Sequence, residues 1–276
     1  MREAKHTQTT GVQAANTVLA VLEAVAFAEE PIGVTQVAAT VGVAKSAAFR
    51  HLHTLLERGY LVQDPVSSRF RLGSKVYLLA SMAPGGQDLA AAIQPALREA
   101  RDASGLAVVL STPTPQGAFV LATMSGTQPV DIGVRVGSSL ALHASAQGKI
   151  FVAFGSAALL DRLLASPLPA FTTHTITNPE FFRAEVARVR AQGYAVAPEE
   201  VLLGVNALAA PVRDDHGIVV AAVSLVGSIQ HITAQPDARL VKIVLDLAVR
   251  AGRLMAKRSV AVIGRTLRKT PGVDAG

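Results

Sequence analysis

The run Ala83-Pro84-Gly85-Gly86 constrains this chain more than any other feature. A proline followed by two glycines stops a helix and offers almost no side chain to pack, so the segments on either side each need their own core. The length of 276 residues is about twice that of a common ~100–200-residue domain, which agrees with two bodies meeting near that point. Half of the residues are hydrophobic but only 4% are aromatic, so both cores must be built from Ala, Val and Leu, and such apolar content argues against disorder. No cysteine is present, which removes disulfides, thiolate metal sites and cysteine nucleophiles and makes the cytoplasm the expected compartment.

Ahead of the break, Ala15, Val18, Leu19, Leu22, Val25 and Ala26 recur at helical spacing on one face. Arg2 and Lys5, followed by the apolar stretch Val12–Ala28 with its Ala24-Val25-Ala26, imitate an export signal. Gln13, Asn16, Thr17 and Glu23 interrupt that stretch and favour an amphipathic helix instead. Glu30-Pro31-Ile32-Gly33 is a turn; Val34–Thr40 reads as a short helix, Val41-Gly42-Val43 as a tight glycine turn, and Ala44–Arg58 as a longer helix. Two helices joined this way form a helix-turn-helix. Periodicity predicts that the second helix buries Phe49, Leu52 and Leu56 and turns Ala47, Arg50, His51, Thr54 and Arg58 outward, entered by Lys45 and Ser46. Such a face suits the major groove of double-stranded DNA, although it also fits the solvated side of a plain three-helix module.

A hairpin comes next, from Gly59-Tyr60-Leu61-Val62 through the turn Asp64–Ser68 to Arg69-Phe70-Arg71-Leu72-Gly73. Behind a helix-turn-helix this is a wing, and Arg69 and Arg71 share one side of it, within reach of a phosphate or minor groove. From Lys45 to Lys75 the basic residues Lys45, Arg50, Arg58, Arg69, Arg71 and Lys75 are opposed only by Glu57 and Asp64, the local surplus that a phosphate-binding surface needs. The formal net charge of +6 says less, because seven basic residues against one acidic residue lie from Arg250 onward, in a helix end running into a basic tail.

Past the break, Leu89–Ser104 reads as a helix kinked at Pro95, and Ala107–Ser111, Phe119–Met124 and Asp131–Val136 read as strands. Helices are expected at His143–Phe154, Ala157–Leu164 and Glu180–Ala191, and strands at Tyr194–Ala197, Ala207–Arg213 and Val219–Val226, the last two joined by the hairpin turn Asp214-Asp215-His216-Gly217. Asp237–Val260 closes as a long helix. The mixture implies an α+β class, with an antiparallel sheet flanked by helices. Ala103–Val130, the longest charge-free stretch, is broken by prolines and glycines and cannot be a membrane helix, so no membrane partner is expected.

Catalytic patterns are lacking. No G-x-S-x-G elbow, H-E-x-x-H, Walker loop or G-x-G-x-x-G occurs. His143 and Ser145 are too close in a helix to work as base and nucleophile, Glu199-Glu200 point to different sides, and His51 and His53 diverge, so neither an enzyme, a metal nor a cofactor is expected. An enzyme fused to a DNA-binding head would need the His143/Ser145 pair; a ligand-free oligomerisation domain is the other alternative.

Together the blocks Lys45-Ser46, Arg50, Leu55-Leu56-Glu57-Arg58-Gly59-Tyr60-Leu61 and Arg69-Phe70-Arg71-Leu72-Gly73 resemble the DNA-binding half of IclR-type bacterial transcriptional regulators. The resemblance continues through Leu142-His143-Ala144-Ser145-Ala146-Gln147-Gly148-Lys149, Gly193-Tyr194-Ala195, Glu199-Glu200, Gly204, Ala210-Pro211-Val212-Arg213-Asp214 to Gly217, and Ala221-Ala222-Val223-Ser224. It implies a winged helix-turn-helix at residues 10–73, a linker helix and hinge at 74–86, a GAF/PAS-like effector-binding and oligomerisation domain at 87–260, and a basic tail at 261–276. A homodimer or homotetramer on a pseudo-palindromic operator is implied too, with a small-molecule effector beside Ser145-Ala146-Gln147 and the positions Ala197, Ala207, Ser224 and Val226. Relatives that bind small keto acids carry polar groups at several of these positions, whereas this chain keeps only Ser224 polar. An organic acid of more apolar or aromatic character is therefore expected, with Arg135 as a candidate carboxylate partner. Ala47 stands where the family commonly has threonine, which shifts base contact towards Arg50, His51 and Thr54.

Overall fold

The computed structural model describes residues 12–82, 86–114, 117–128 and 132–267, and the chain divides into two compact units, Met1–Gly86 and Gln87–Gly276. Ala83-Pro84-Gly85, Asp131 and the tail after Leu267 lie outside the described residues.

The first unit packs α1 (Gln13–Ala26), α2 (Val34–Val41) and α3 (Lys45–Glu57) around Val21, Val25, Val37, Ala38, Ala48, Leu52 and Leu55. Gly42 joins α2 to α3 at φ 72°, a left-handed conformation that a side chain would strain, and its N–H closes on the Ala38 carbonyl. Two faces differ from the periodicity reading. On α1 the buried line is Val21 and Val25, while Ala15 and Leu19 are exposed. On α3 it is Ala48, Leu52 and Leu55; Leu56 is half-buried and Phe49 exposed. A close helix crossing accepts the methyl of Ala48 and has no room for a phenyl ring, so Phe49 lies outside, its ring 4.5 Å from that of His53.

The wing follows as β1 (Leu61–Gln63) paired antiparallel with β2 (Phe70–Leu72), and Ile32 adds a bridge to Phe70. Leu61 and Phe70 sink into the helical core, so the hairpin is fixed to the helices it follows. Its turn is closed by Asp64, whose carboxylate accepts from the Val66 and Ser67 N–H groups and the Ser67 hydroxyl. Helix α4 (Ser74–Met82) leads away from it.

In the second unit α5 (Gly86–Ser104) precedes a six-stranded sheet with β3 (Ala107–Thr114), β4 (Gly117–Met124), β5 (Ser139–Leu140), β6 (Ala195–Val196), β7 (Val205–Arg213) and β8 (Val219–Ser228). Its order is β5-β4-β3-β8-β7-β6, antiparallel between all neighbours. One face carries Val108, Leu110, Leu208, Ala210, Val212, Val223 and Leu225, packed on α5 through Ile93 and Leu97 and on α9 (Ala238–Leu267) through Val244 and Leu247. The other face, rich in alanine, receives α6 (Ala146–Phe154) and α8 (Pro179–Gln192), while α7 (Ala157–Leu164) packs its leucines at the edge of that cluster. Period-two alternation on two-sided strands is what separates these two cores.

Three sequence expectations are corrected in this unit. Residues 132–136 form no strand; Ile132 and Val134 lie against the alanine-rich face, so their alternation records burial and not pairing, and the edge strand is Ser139–Leu140. The helix expected from His143 starts at Ala146, after a turn, and Gly148 lets its first turn press on the preceding chain, where a Cβ would stand 2.4 Å from the Ala141 carbonyl. Helix α9 runs to Leu267, beyond the expected end at Val260, and so takes in the start of the basic tail.

Candidate functional site

On the outward side of α3, Lys45, Ser46, Arg50 and Thr54 are exposed, while Ala47 and His51 are half-buried. The accessible line therefore runs through Ser46 and Arg50, with Phe49 and His53 on its flank. Helical periodicity puts Phe49 in the core and so hides that flank. The Thr54 hydroxyl donates to the Arg50 carbonyl at 3.0 Å and is engaged within its own helix. In the wing Arg69 donates to the Pro31 carbonyl at 2.9 Å and ties the hairpin to the α1–α2 turn, while Arg71 is exposed. Lys75 donates to the Arg58 carbonyl at 3.1 Å and lies over the Tyr60 ring. The Ser67 backbone N–H, then its hydroxyl, hold the Asp64 carboxyl below the usual range, with a smaller pull from Arg71. The basic cluster is thus divided: Arg69 and Lys75 brace the module, and Lys45, Arg50 and Arg71 present charge to solvent.

In the second unit all the proposed effector positions except Arg135 meet on or beside the alanine-rich face. Gln147, in the first turn of α6, donates to the Ser224 hydroxyl on β8 at 2.6 Å, both side chains being buried. Ser145 caps α6: its hydroxyl accepts from Gly148 N–H at 3.0 Å and donates to the Ala141 carbonyl at 2.7 Å. Ala207 pairs with Val226 across β7 and β8, and the Ala197 N–H donates to the Ala207 carbonyl. Beside them Ala107, Val109, Val120 and Val226 form an apolar floor covered by Ile132, Val134 and Leu140. At one end of this floor a cavity of about 320 Å³ is lined by Ala107, Ile132 and Val226, with Gln128, Gln230 and His231 at its rim. Arg135 is exposed and is not brought to this group; Ile132 and Val134 are the residues of its segment that pack inward.

Sequence reasoning missed a buried ionic cluster next to this face. Lys149 Nζ contacts the Glu200 carboxylate, Glu185 Oε1 at 3.2 Å and the Val196 carbonyl at 3.0 Å. Burial pushes the Glu200 carboxyl up against the pull of Lys149. Burial pushes Glu185 up as well, but the Arg188 guanidinium and the Lys149 ammonium outweigh it and leave that carboxyl below its ordinary range. Nothing local flags this cluster, since its members are 36 and 51 residues apart in sequence. Buried Asn206, which donates to the Ile232 and Thr233 carbonyls and accepts from the Ala197 and Ala207 N–H groups, was missed for the same reason.

His143 and Ser145 bond away from each other. His143 Nε2 lies 2.8 Å from the Pro169 carbonyl, with its ring stacked near Phe171, and burial holds the imidazole below its ordinary pKa. Among the described residues no group of three or more His, Cys, Asp or Glu is placed to hold a metal, and no helix is long and apolar enough to cross a membrane.

Two family models match the chain: the IclR helix-turn-helix domain over residues 17–65 and the bacterial transcriptional regulator IclR C-terminal domain over residues 83–251. Similar proteins include the glycerol operon regulatory protein of Streptomyces coelicolor, 28% identical over 86% of this chain and 94% of its own. The transcriptional repressor IclR of Escherichia coli is 28% identical over 80% of this chain and 82% of its own. Among solved structures, an IclR transcriptional regulator from Alicyclobacillus acidocaldarius has a TM-score of 0.73 at 25% identity, covering 89% of this chain and 100% of that one. An IclR homologue from Microbacterium hydrocarbonoxydans, complexed with 4-hydroxybenzoate, shares the fold with a TM-score of 0.74 at 23% identity, over 88% of this chain and 99% of that one.

Proposed function

This chain belongs to the IclR family of bacterial transcriptional regulators, and from that premise we propose that it binds a pseudo-palindromic operator as a homo-oligomer and senses an organic acid of apolar or aromatic character. The family consists of DNA-binding regulators and not of enzymes. The observation that carries the effector reading is the Gln147–Ser224 hydrogen bond at the start of α6, set against a face of alanine and valine. A helix N-terminus favours an anion through its free backbone N–H groups. Around it the two polar side chains already satisfy each other, so a small, highly polar acid would leave groups unpaired, at roughly 1–3 kcal/mol for each. An apolar or aromatic body would instead replace water in the cavity lined by Ala107, Ile132 and Val226.

For DNA, Arg50 and the N-terminal Lys45 and Ser46 of α3 would enter the major groove, with Arg71 on flanking phosphate and His51 and Thr54 at the margin of the contact. Leu79 and Met82, exposed three residues apart on one side of α4, offer an apolar surface for pairing with a second copy. The deciding experiment is a thermal-shift screen of the full chain with benzoate, 4-hydroxybenzoate and branched acids beside glyoxylate and pyruvate. A true effector at about 100 times its Kd stabilises the fold by about 2.7 kcal/mol. Shifts from the larger acids are expected. Tight calorimetric binding of glyoxylate or pyruvate overturns the apolar reading, and silence across a broad panel favours a ligand-free oligomerisation domain.

A further inference from the structure

Ser111 on β3 is fully buried, and its hydroxyl makes no hydrogen bond with any described residue. Folded proteins leave few buried polar groups unpaired, because each one carries an unrecovered desolvation cost, and such a group in a binding domain calls for a partner. The strand register says where that partner would be. Val109 lies opposite Ser224 and Ser111 opposite Ala222, so Ser111 shares the alanine-rich face with Ser224 and is its diagonal neighbour. On its other side Ser111 faces Val120, part of the apolar floor. Ala222 belongs to the same buried cluster as Ala146, the first residue of α6, and Gln147 bonds Ser224. Ser111 therefore lies on the sheet face that receives α6, between Ala222 and Val120 of the neighbouring strands, with its hydroxyl covered by protein and unpaired.

Of the three hydroxyls around this point, two are engaged: Ser145 caps α6, and Ser224 accepts from Gln147. We propose that Ser111 is a specificity-determining contact of the effector, donating its hydroxyl proton to a carboxylate oxygen held at the start of α6. This inference rests on the effector reading given above and adds a residue and a head-group chemistry to it. The apolar body of the same ligand then lies along the apolar floor that begins at Val120 beside Ser111.

The cysteine-free sequence gives a clean test that does not depend on knowing the effector. The full-length Ser111→Cys protein carries a single thiol of nearly the same shape. Ala210→Cys, buried on the opposite face of the sheet, serves as the reference for a sealed position. Both are treated with two small methanethiosulfonates, one bearing a sulfonate and one a quaternary ammonium. If Ser111 lines a ligand site, its replacement thiol reacts through local opening at least about tenfold faster than the Ala210→Cys thiol, which waits for global unfolding. The anionic reagent is expected to react faster than the cationic one at Ser111→Cys and not at Ala210→Cys. Equal rates at the two positions overturn the proposal. Reaction at Ser111→Cys without anion preference keeps the residue in the site and overturns the organic-acid reading, so the two failures are distinct. Should Ser111→Cys fail to fold, Ser111→Ala decides: removal of an unpaired hydroxyl raises the ligand-free melting temperature, and a fall shows that the hydroxyl already has a partner and overturns the proposal.

Discussion

In the first unit the side chains that would meet a partner, Lys45, Ser46, Arg50 and Arg71, stand in solvent, whereas in the second the polar groups of the candidate site, Ser111, Gln147 and Ser224, are buried, as is Lys149 beside them. An exposed arginine can be removed with little effect on the fold, because surface substitutions seldom change stability by more than about 0.5 kcal/mol. A buried polar group holds its surroundings together and, at the candidate site, would also read a ligand, so its removal mixes stability with recognition. On the proposed reading the head could change its target by surface substitution, whereas the effector domain could change its ligand only by repacking its interior.

Removing Lys149 should produce the largest effect. Lys149→Met leaves Glu200 buried against an apolar chain while Glu185 keeps Arg188, and breaking a buried pair in this way costs roughly 3–5 kcal/mol. Thermal melting should show a large loss of stability in the second unit; an unchanged melting temperature would mean that the ion pairs hold nothing. Next is Arg50→Ala, expected to weaken operator binding about ten- to a hundredfold, as loss of one base-reading contact of roughly 1–3 kcal/mol does, while melting stays near wild type. A large drop in melting temperature would break the contrast between the units. Smaller again is the wing. Arg71→Ala should lower the salt slope of operator binding by about one, whereas Arg69→Ala, whose guanidinium braces the Pro31 carbonyl, should loosen the wing more than it changes the slope. Equal slope changes for the two arginines would return Arg69 to the phosphate-contacting set.

The contrast also explains how much was legible in the sequence. Local devices were readable because neighbouring residues specify them: the left-handed Gly42 turn, the hairpin closed by Asp64, and the β7–β8 hairpin through Asp214 to Gly217. Most of the candidate effector positions were reached through family blocks and not through periodicity. What stayed hidden depends on partners distant in sequence. Phe49 lies outside because of how α1 and α2 cross α3, and the 132–136 segment alternates without pairing because the sheet edge is taken by Ser139–Leu140. The Lys149 cluster and the unpaired hydroxyl of Ser111 exist only once α6, the loop around Glu200 and the central strands are assembled.

The smallest expected effect is a pH dependence, and it separates the two units without any ligand. Burial holds the His143 imidazole below its ordinary pKa, aided by the Lys149 charge and opposed by the Pro169 carbonyl. In the unfolded chain this histidine binds a proton near its ordinary value of about 6.5, while in the folded chain it does so only at lower pH. A depressed pKa contributes stability that is fully present above the unfolded value and is lost as pH falls towards the folded one, because the unfolded state then binds more protons. Wild-type melting temperature should therefore decline as pH drops below about 6.5, and the decline should be shallower in His143→Gln, whose amide can still donate to the Pro169 carbonyl but cannot titrate. If His143→Gln keeps the full wild-type decline, the buried imidazole carries none of the pH dependence, and the contrast between an interior that carries stability and a surface that carries contact fails at its most easily measured point.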